Sequence, residues 1–326
     1  TQEMLSGKRQ IIPDKYMVYT LDVQGLRNQL LNAPMEFTVP VKQSPVVIEL
    51  PMPDGSWNSF TIVESPVMQP ELSAKYPFIK TYSGSGINKS SWVRIDFTQW
   101  GFHALIRTAE DDIYIDPYSM QTTSEYLVYF RKDFMHSQSS MVCEFDDLQQ
   151  GQNANKALTN AMPAMNRSIG TNLRTYRLAL ACTGEYAAYY GGTKAGALSG
   201  MVTSINRVTG VYESEVDVRL NLIANTDTLI FLDANTDPYS NNNGGTMLGQ
   251  NQSVVNFFIG TPNYDMGHVF STGGGGIAYL GCICKTADKA KGVTGSAAPI
   301  NDPFNIDYVA HEMGHQFGGN HTFNSV

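Results

Sequence analysis

Residues 311–321 read H-E-M-G-H-Q-F-G-G-N-H, and no other stretch constrains the chain as tightly. On an α-helix from Val309 to Phe317, His311 and His315 stand four residues apart, so both imidazoles leave one face about one turn from each other. Two metal ligands need that arrangement. Glu312 is turned by about 100° from His311, too far round to be a ligand but close enough to take a proton from a water beside a metal. Gly318 can adopt a positive φ without a Cβ clash, so the helix can stop there and reverse, carrying His321 toward the same ion. Three neutral imidazoles leave one tetrahedral position open, which marks a catalytic zinc more than a closed structural one. Three of the chain's six histidines sit in this segment, which counts against three ordinary polar residues on a helix surface.

The spacing HExxHxxGxxH resembles the metzincin clan of zinc endopeptidases. That resemblance implies His311, His315 and His321 as zinc ligands and Glu312 as the general base of peptide-bond hydrolysis. Further runs narrow it: MVTSINRVTGVYESEVDVRLNLI, then GGIAYLGCIC, then DYVAHEMGHQFGGNH. From Tyr176 onward they resemble the adamalysin or reprolysin branch, bacterial secreted type, preceded by a propeptide. Thr322 and Phe323 after His321 are similar to the pappalysins as well, while Gly319 and Thr322 stand where astacins carry aromatic and acidic residues. The implied cofactor is Zn2+, and the implied partners are protein or peptide substrates and the chain's own propeptide in cis.

Two other readings compete. One is a latent or proteolytically idle zinc-binding adhesion or interaction protein on a metzincin scaffold; an intact Glu312 weighs against it, because a structural zinc has no use for a base. The other is a β-rich binding module with an incidental HExxH, which predicts no loss of function on replacing His315.

At 326 residues the chain has room for two domains, each with its own core. A net charge of −8, with 22 Lys and Arg and no basic run, disfavours nucleic acid or an anionic membrane as partner. No stretch approaches the ~20 apolar residues of a membrane span, and TQEMLSGKRQ lacks a signal peptide's apolar core. A signal removed before Thr1 is therefore expected, and sparse Lys with Asn, Ser, Thr and Gly in the loops suits a secreted, extracellular protein.

The first 140 residues read as mainly β and form the expected propeptide domain, 1–140. Val46 to Leu50 and Trp57 to Val63 are strand-like runs about a Pro51-to-Gly55 turn; Trp92 to Phe97, Phe102 to Arg107 and Asp112 to Ile115 predict a three-stranded meander. His103 and His136 lack partners in sequence and read as structural. A polar stretch, 141–172, is the expected linker and latency segment. The remainder, 173–326, reads as α/β (α+β) with a mixed twisted sheet, the N-terminal subdomain of a metzincin-like catalytic domain. Its expected elements are a strand at Tyr176 to Ala181, a helix at Lys194 to Glu213, a strand at Val218 to Ala224 and a helix at Ser253 to Ile259. Strands at His268 to Ser271 and Ile277 to Cys284 and the helix Asn305 to Phe317 follow.

An extended peptide is held best by an exposed strand edge, and Ile277, Ala278, Tyr279, Leu280 and Gly281 are the candidate edge. The glycines Gly273 to Gly276 before it suit close backbone approach or a plain loop; a phosphate loop is disfavoured without a Lys-Ser/Thr ending and a helix. Asp233, Asn235 and Asp237 place oxygen-bearing side chains at alternate positions, as Ca2+ loops do and as ordinary Asx turns do. Ca2+ is thus a second candidate cofactor.

The four cysteines, Cys143, Cys182, Cys282 and Cys284, allow three full pairings and match no zinc ribbon. Cys282 and Cys284, two apart on an expected strand, point to the same side and are not expected to bond each other; at most one reaches Cys182. If the front half is a propeptide, something in it should block the zinc. Cys143 is the candidate, since a thiolate is a strong zinc ligand; Asp146 or a disulfide through Cys143 are the alternatives. The metzincins also carry a methionine turn beyond the third histidine, and Val326 falls short of it, so that turn and the C-terminal subdomain lie outside this sequence.

Overall fold

The computed structural model describes residues 9, 11–88, 90–120, 122–134, 143, 172–273, 275–301 and 303–321. They form two compact units: Thr1–Ser140 with Ser199–Gly210, and Met141–Leu198 with Val211–Val326.

The first unit is built on an eight-stranded antiparallel sheet. Its strands are β1 (Met17–Thr20), β2 (Val47–Pro51), β3 (Trp57–Glu64), β4 (Lys80–Gly86), β5 (Trp92–Thr98), β6 (Gly101–Arg107), β7 (Asp112–Ser119) and β8 (Thr122–Phe130). They lie in the order β1-β8-β7-β6-β5-β4-β3-β2. The run from β2 to β8 is a meander in which alternating apolar residues such as Phe60, Ile62, Val93, Ile95, Ile106 and Ile115 make the core. Gly55 and Gly101, at φ 86° and 105°, turn the chain between strands. The three expected strands are present, flanked by two that the sequence reading passed over: β4, whose Ser and Gly content hides its alternation, and β8.

The opposite face carries buried polar groups that pair with one another within the unit. Asp116 accepts from Arg207 Nη2 at 2.5 Å and from the Tyr129 hydroxyl at 2.8 Å. Asp96 accepts from Thr203 Oγ1 at 2.8 Å and lies 2.9 Å from His103 Nδ1, which gives that histidine its structural partner. His136 lies outside the described residues.

The second unit has a five-stranded mixed sheet of β9 (Arg174–Cys182), β10 (Val218–Leu222), β11 (Met266–Ser271), β12 (Gly275–Ala278) and β13 (Gly292–Gly295), ordered β10-β9-β11-β13-β12. The first four in that order run parallel; β12 pairs antiparallel with β13 and forms an edge. Three helices precede the motif: α1 (Gly184–Tyr189), α2 (Lys194–Val216), whose middle part Ser199–Gly210 belongs to the first unit, and α3 (Gly244–Phe258). Thr193 caps α2 by accepting from the Gly196 amide, and the buried positions Leu198, Met201, Val202, Ile205 and Val208 recur at the expected steps of three and four. Met247, Val254 and Val255 of α3 pack with Ala179, Val269 and Val293 of the sheet.

The strand expected at Ile277 to Cys284 ends at Ala278, because Gly281 and Cys284 take φ of 59° and 62° and turn the chain away. The same-side argument for Cys282 and Cys284 falls with it, and no disulfide joins any of the four cysteines. The helix expected at Ser253 starts nine residues earlier, at Gly244, where Asn243 caps a glycine-rich first turn that has no apolar period to read. The helix expected from Asn305 is continuous to Phe317, but Pro303–Ala310 is wound as a π-helix and only α4 (His311–Phe317) is α-helical.

Candidate metal centre

Helix α4 puts His311 and His315 one turn apart, with their Nε2 atoms 3.0 Å from each other. Gly318, at φ 100°, ends the helix in the left-handed region that a side chain would strain, and the Gly318 and Gly319 amides close onto the His315 and Gly314 carbonyls. The reversal returns His321, whose Nε2 lies 3.2 Å from that of His311. Cys143 Sγ stands 3.6 Å from His315 Nε2, and the four ligand atoms lie within 4.8 Å of one another.

The nitrogens are set for a cation. His315 Nδ1 lies 2.6 Å from the Gly319 carbonyl, which can only accept, so the proton is on Nδ1 and the Nε2 lone pair faces its neighbours. Burial first, then the proximity of His315 and His321, lowers the His311 pKa to about 4 and keeps that ring neutral. Convergent lone pairs repel unless a cation or proton sits among them. Three imidazoles and a thiol at this spacing fit zinc's preference for four N and S ligands.

Glu312 is 1% exposed, and among the described residues the Cys143 thiol is the donor within its reach. Burial raises its carboxyl to about 8, with Cys143 acting in the opposite direction. A buried carboxylate is costly and calls for a reason. The space it occupies comes from Gly276 of β12, where a Cβ would lie 2.3 Å from Glu312 Oε1.

Around α4, the Tyr212 hydroxyl donates to the Ala310 carbonyl at 2.6 Å, just before His311. Tyr176 and Tyr212 meet the Phe317 ring edge-on. The Gly281 amide donates to the His315 carbonyl at 2.8 Å. None of Tyr212, Gly276, His268 or Gln316 carries a motif of its own, and the sequence reading missed them as site residues; Gln316 was the one a helical wheel could have flagged.

The candidate edge is divided. Ile277 and Ala278 lie on β12, opposite Val293 and Gly292, and the Tyr279 amide adds one bond to the Lys291 carbonyl. Leu280 and Gly281 belong to the turn that follows. The other side of β12 meets the chain itself: Cys143 forms a parallel bridge with Gly276. Asp146 lies outside the described residues.

The possible Ca2+ residues do not come together with other carboxylates. Asp233 caps its own turn, accepting from the Asn235 amide and side chain, while Asp237 accepts from the Gly184 and Tyr239 amides. Among the described residues, Cys143, His311, His315 and His321 are the group of His, Cys, Asp and Glu placed to hold a metal.

Residues 198–322 match the sequence model of the metallo-peptidase family M12B, reprolysin-like, a span that includes the three histidines and Glu312 but not Cys143. No curated protein matches the chain. Over residues 198–322 the chain is thus similar to the reprolysin-like metallo-peptidases.

Proposed function

We propose that this chain is the latent precursor of a zinc-dependent endopeptidase. His311, His315 and His321 hold the metal, Cys143 blocks its fourth position and Glu312 is the general base. In this reading residues 1–140 are the propeptide domain, 141–172 carry the latency segment, and 173–326 begin the catalytic domain of a secreted protein. The observation that carries it is the convergence of three imidazoles and a thiol, with the buried Glu312 carboxylate within reach of that thiol.

His311, His315 and His321 would hold a zinc ion, which would supply a Lewis acid to acidify water and polarise a peptide carbonyl. The chain's own groups do the rest. Glu312 accepts a proton at an Oε atom and returns it to the leaving amine, a two-way role open to it once the Cys143 thiol no longer donates to the carboxylate. His315, locked through Nδ1 to Gly319, keeps its Nε2 lone pair aimed inward. The edge of β12 offers main-chain groups to an extended peptide, and Cys143 sits on that edge, so the segment that bears the thiol also fills the place of a substrate.

Four donors also suit a closed structural zinc, the idle reading. A structural site gives a carboxylate buried beside the first histidine no task, and its placement favours chemistry. The test is hydrolysis of a quenched fluorescent peptide by full-length Cys143→Ala and Cys143→Ala/Glu312→Gln, both with zinc measured. Cleavage by the first alone supports the reading; cleavage by both removes the base assignment, and zinc-loaded Cys143→Ala that stays inert after limited proteolysis between residues 144 and 172 removes the endopeptidase.

A further inference from the structure

We propose that His268, Gln316 and Thr294 form a buried polar latch that fixes the rotation of α4 about its axis, making His268 a positioning residue for the metal-binding imidazoles. The inference rests on the metal centre proposed above and concerns residues with no part in holding the ion.

His268 lies on β11, between β9 and β13, and is fully buried. Its Nδ1 is 2.8 Å from Gln316 Oε1, and its Nε2 is 2.8 Å from Thr294 Oγ1 on β13. The protons can be assigned. Gln316 Nε2 donates to the Gly267 carbonyl at 2.9 Å, so the amide oxygen must be the atom facing His268. His268 therefore carries its proton on Nδ1 and donates it to Gln316, and the Thr294 hydroxyl donates to Nε2. Each polar atom of a three-residue chain is matched, and the chain ties β11 and β13 to the helix.

The sheet is cut to fit this chain. A Cβ on Gly292 would lie 2.3 Å from Gln316 Oε1 and 2.4 Å from His268 Nδ1. Burial alone could be met by a leucine at each position, at no desolvation cost. Apolar contact is non-directional and lets a helix roll, whereas a hydrogen bond weakens steeply once its angle is lost.

Rotation is the quantity that matters here. At about 100° per residue, Gln316 and Glu312 lie within about 40° of each other, and His311 and His315 share the neighbouring strip. Pinning Gln316 into the sheet seats Glu312 against Gly276 and turns both imidazoles to where His321 returns.

The experiment is zinc affinity of the full-length chain, by competition with a chromogenic chelator, together with the visible spectrum of the cobalt-substituted protein. His268→Leu should bind zinc about tenfold more weakly or worse, with a shifted cobalt spectrum. His268→Asn, whose amide can donate from near the Nδ1 position, should recover most of the affinity. The double variant His268→Leu/Gln316→Leu should be no weaker than the worse single. Parent-like affinity and spectrum in folded His268→Leu overturn the latch, as does His268→Asn as weak as His268→Leu. Should His268→Leu not fold, Thr294→Val removes only the donor to Nε2: a weakened affinity supports the latch and an unchanged one overturns it. A parent chain that binds no zinc sinks the metal centre itself, whereas a zinc-binding parent with an indifferent His268→Leu sinks the latch alone.

Discussion

Gly276 and Glu312 share one space: a side chain on the glycine would stand 2.3 Å from the glutamate's Oε1 and 2.5 Å from its Cδ. The edge strand thereby gives up a side chain where the carboxylate stands, and the carboxylate is held against the main chain that a peptide would pair with.

Gly276→Ala should therefore act on Glu312. Overpacking of this kind costs about 1–3 kcal/mol, readable as a lower midpoint in urea. In the Cys143→Ala background, peptide cleavage should fall by more than about tenfold, the size of a 1.4 kcal/mol misplacement, while bound zinc stays unchanged. Unchanged cleavage would mean that the carboxylate has room the geometry denies it.

Thiol reactivity should report the state of Cys143. Cys284 is exposed, Cys182 and Cys282 are buried, and Cys143 lies against His315. An alkylating reagent should modify Cys284 at once in the zinc-loaded chain, reach Cys143 only after chelation, and reach the buried pair only on unfolding. Prompt alkylation of Cys143 with zinc retained contradicts its place in the metal shell.

Acid should destabilise the second unit through His268. Burial holds its pKa down to about 4, against an ordinary value of 6.5. A group whose folded pKa is lowered in this way binds its proton more readily when unfolded. The penalty is absent above pH 6.5, grows as pH falls toward 4, and reaches roughly 3 kcal/mol for a shift from 6.5 to about 4. In metal-free protein, the stability of the parent minus that of His268→Asn should fall across this window and be flat above it. A difference independent of pH would show that His268 is not buried neutral.

The buried pair Arg207 and Asp116 gives a prediction for the first unit. Both side chains are 2% exposed, so removing one leaves the other charged in the interior. Asp116→Ala should cost about 3–5 kcal/mol, measured by denaturant unfolding, whereas Asp265→Ala, in the half-exposed pair with Arg177, should cost about 1 kcal/mol or less.

What the sequence made legible follows from where the physics is local. The three histidines, Glu312 and Gly318 were readable because helix period and a left-handed turn dictate their geometry within eleven residues. The long helix was readable from Leu198 to Val208 because its buried face recurs at steps of three and four. By contrast, β13 is four residues of Gly-Val-Thr-Gly, and its strand state comes from pairing with β11 and β12, which no local pattern encodes. The end of β12 at Ala278 was hidden because the apolar run continues through Leu280 while the backbone turns. The meeting of Cys143 with His315 joins residues 172 apart, and the sequence could propose it only from thiol chemistry. The latch of His268 and Gln316 is non-local in the same way.

The most direct test of the central claim is X-ray absorption at the zinc edge on the full-length chain, purified without chelators. One zinc per chain is expected, bound by three imidazole nitrogens and one sulfur, the donors that converge from His311, His315, His321 and Cys143. A chain that carries no zinc, or a zinc whose shell lacks the sulfur or any of the imidazoles, contradicts it.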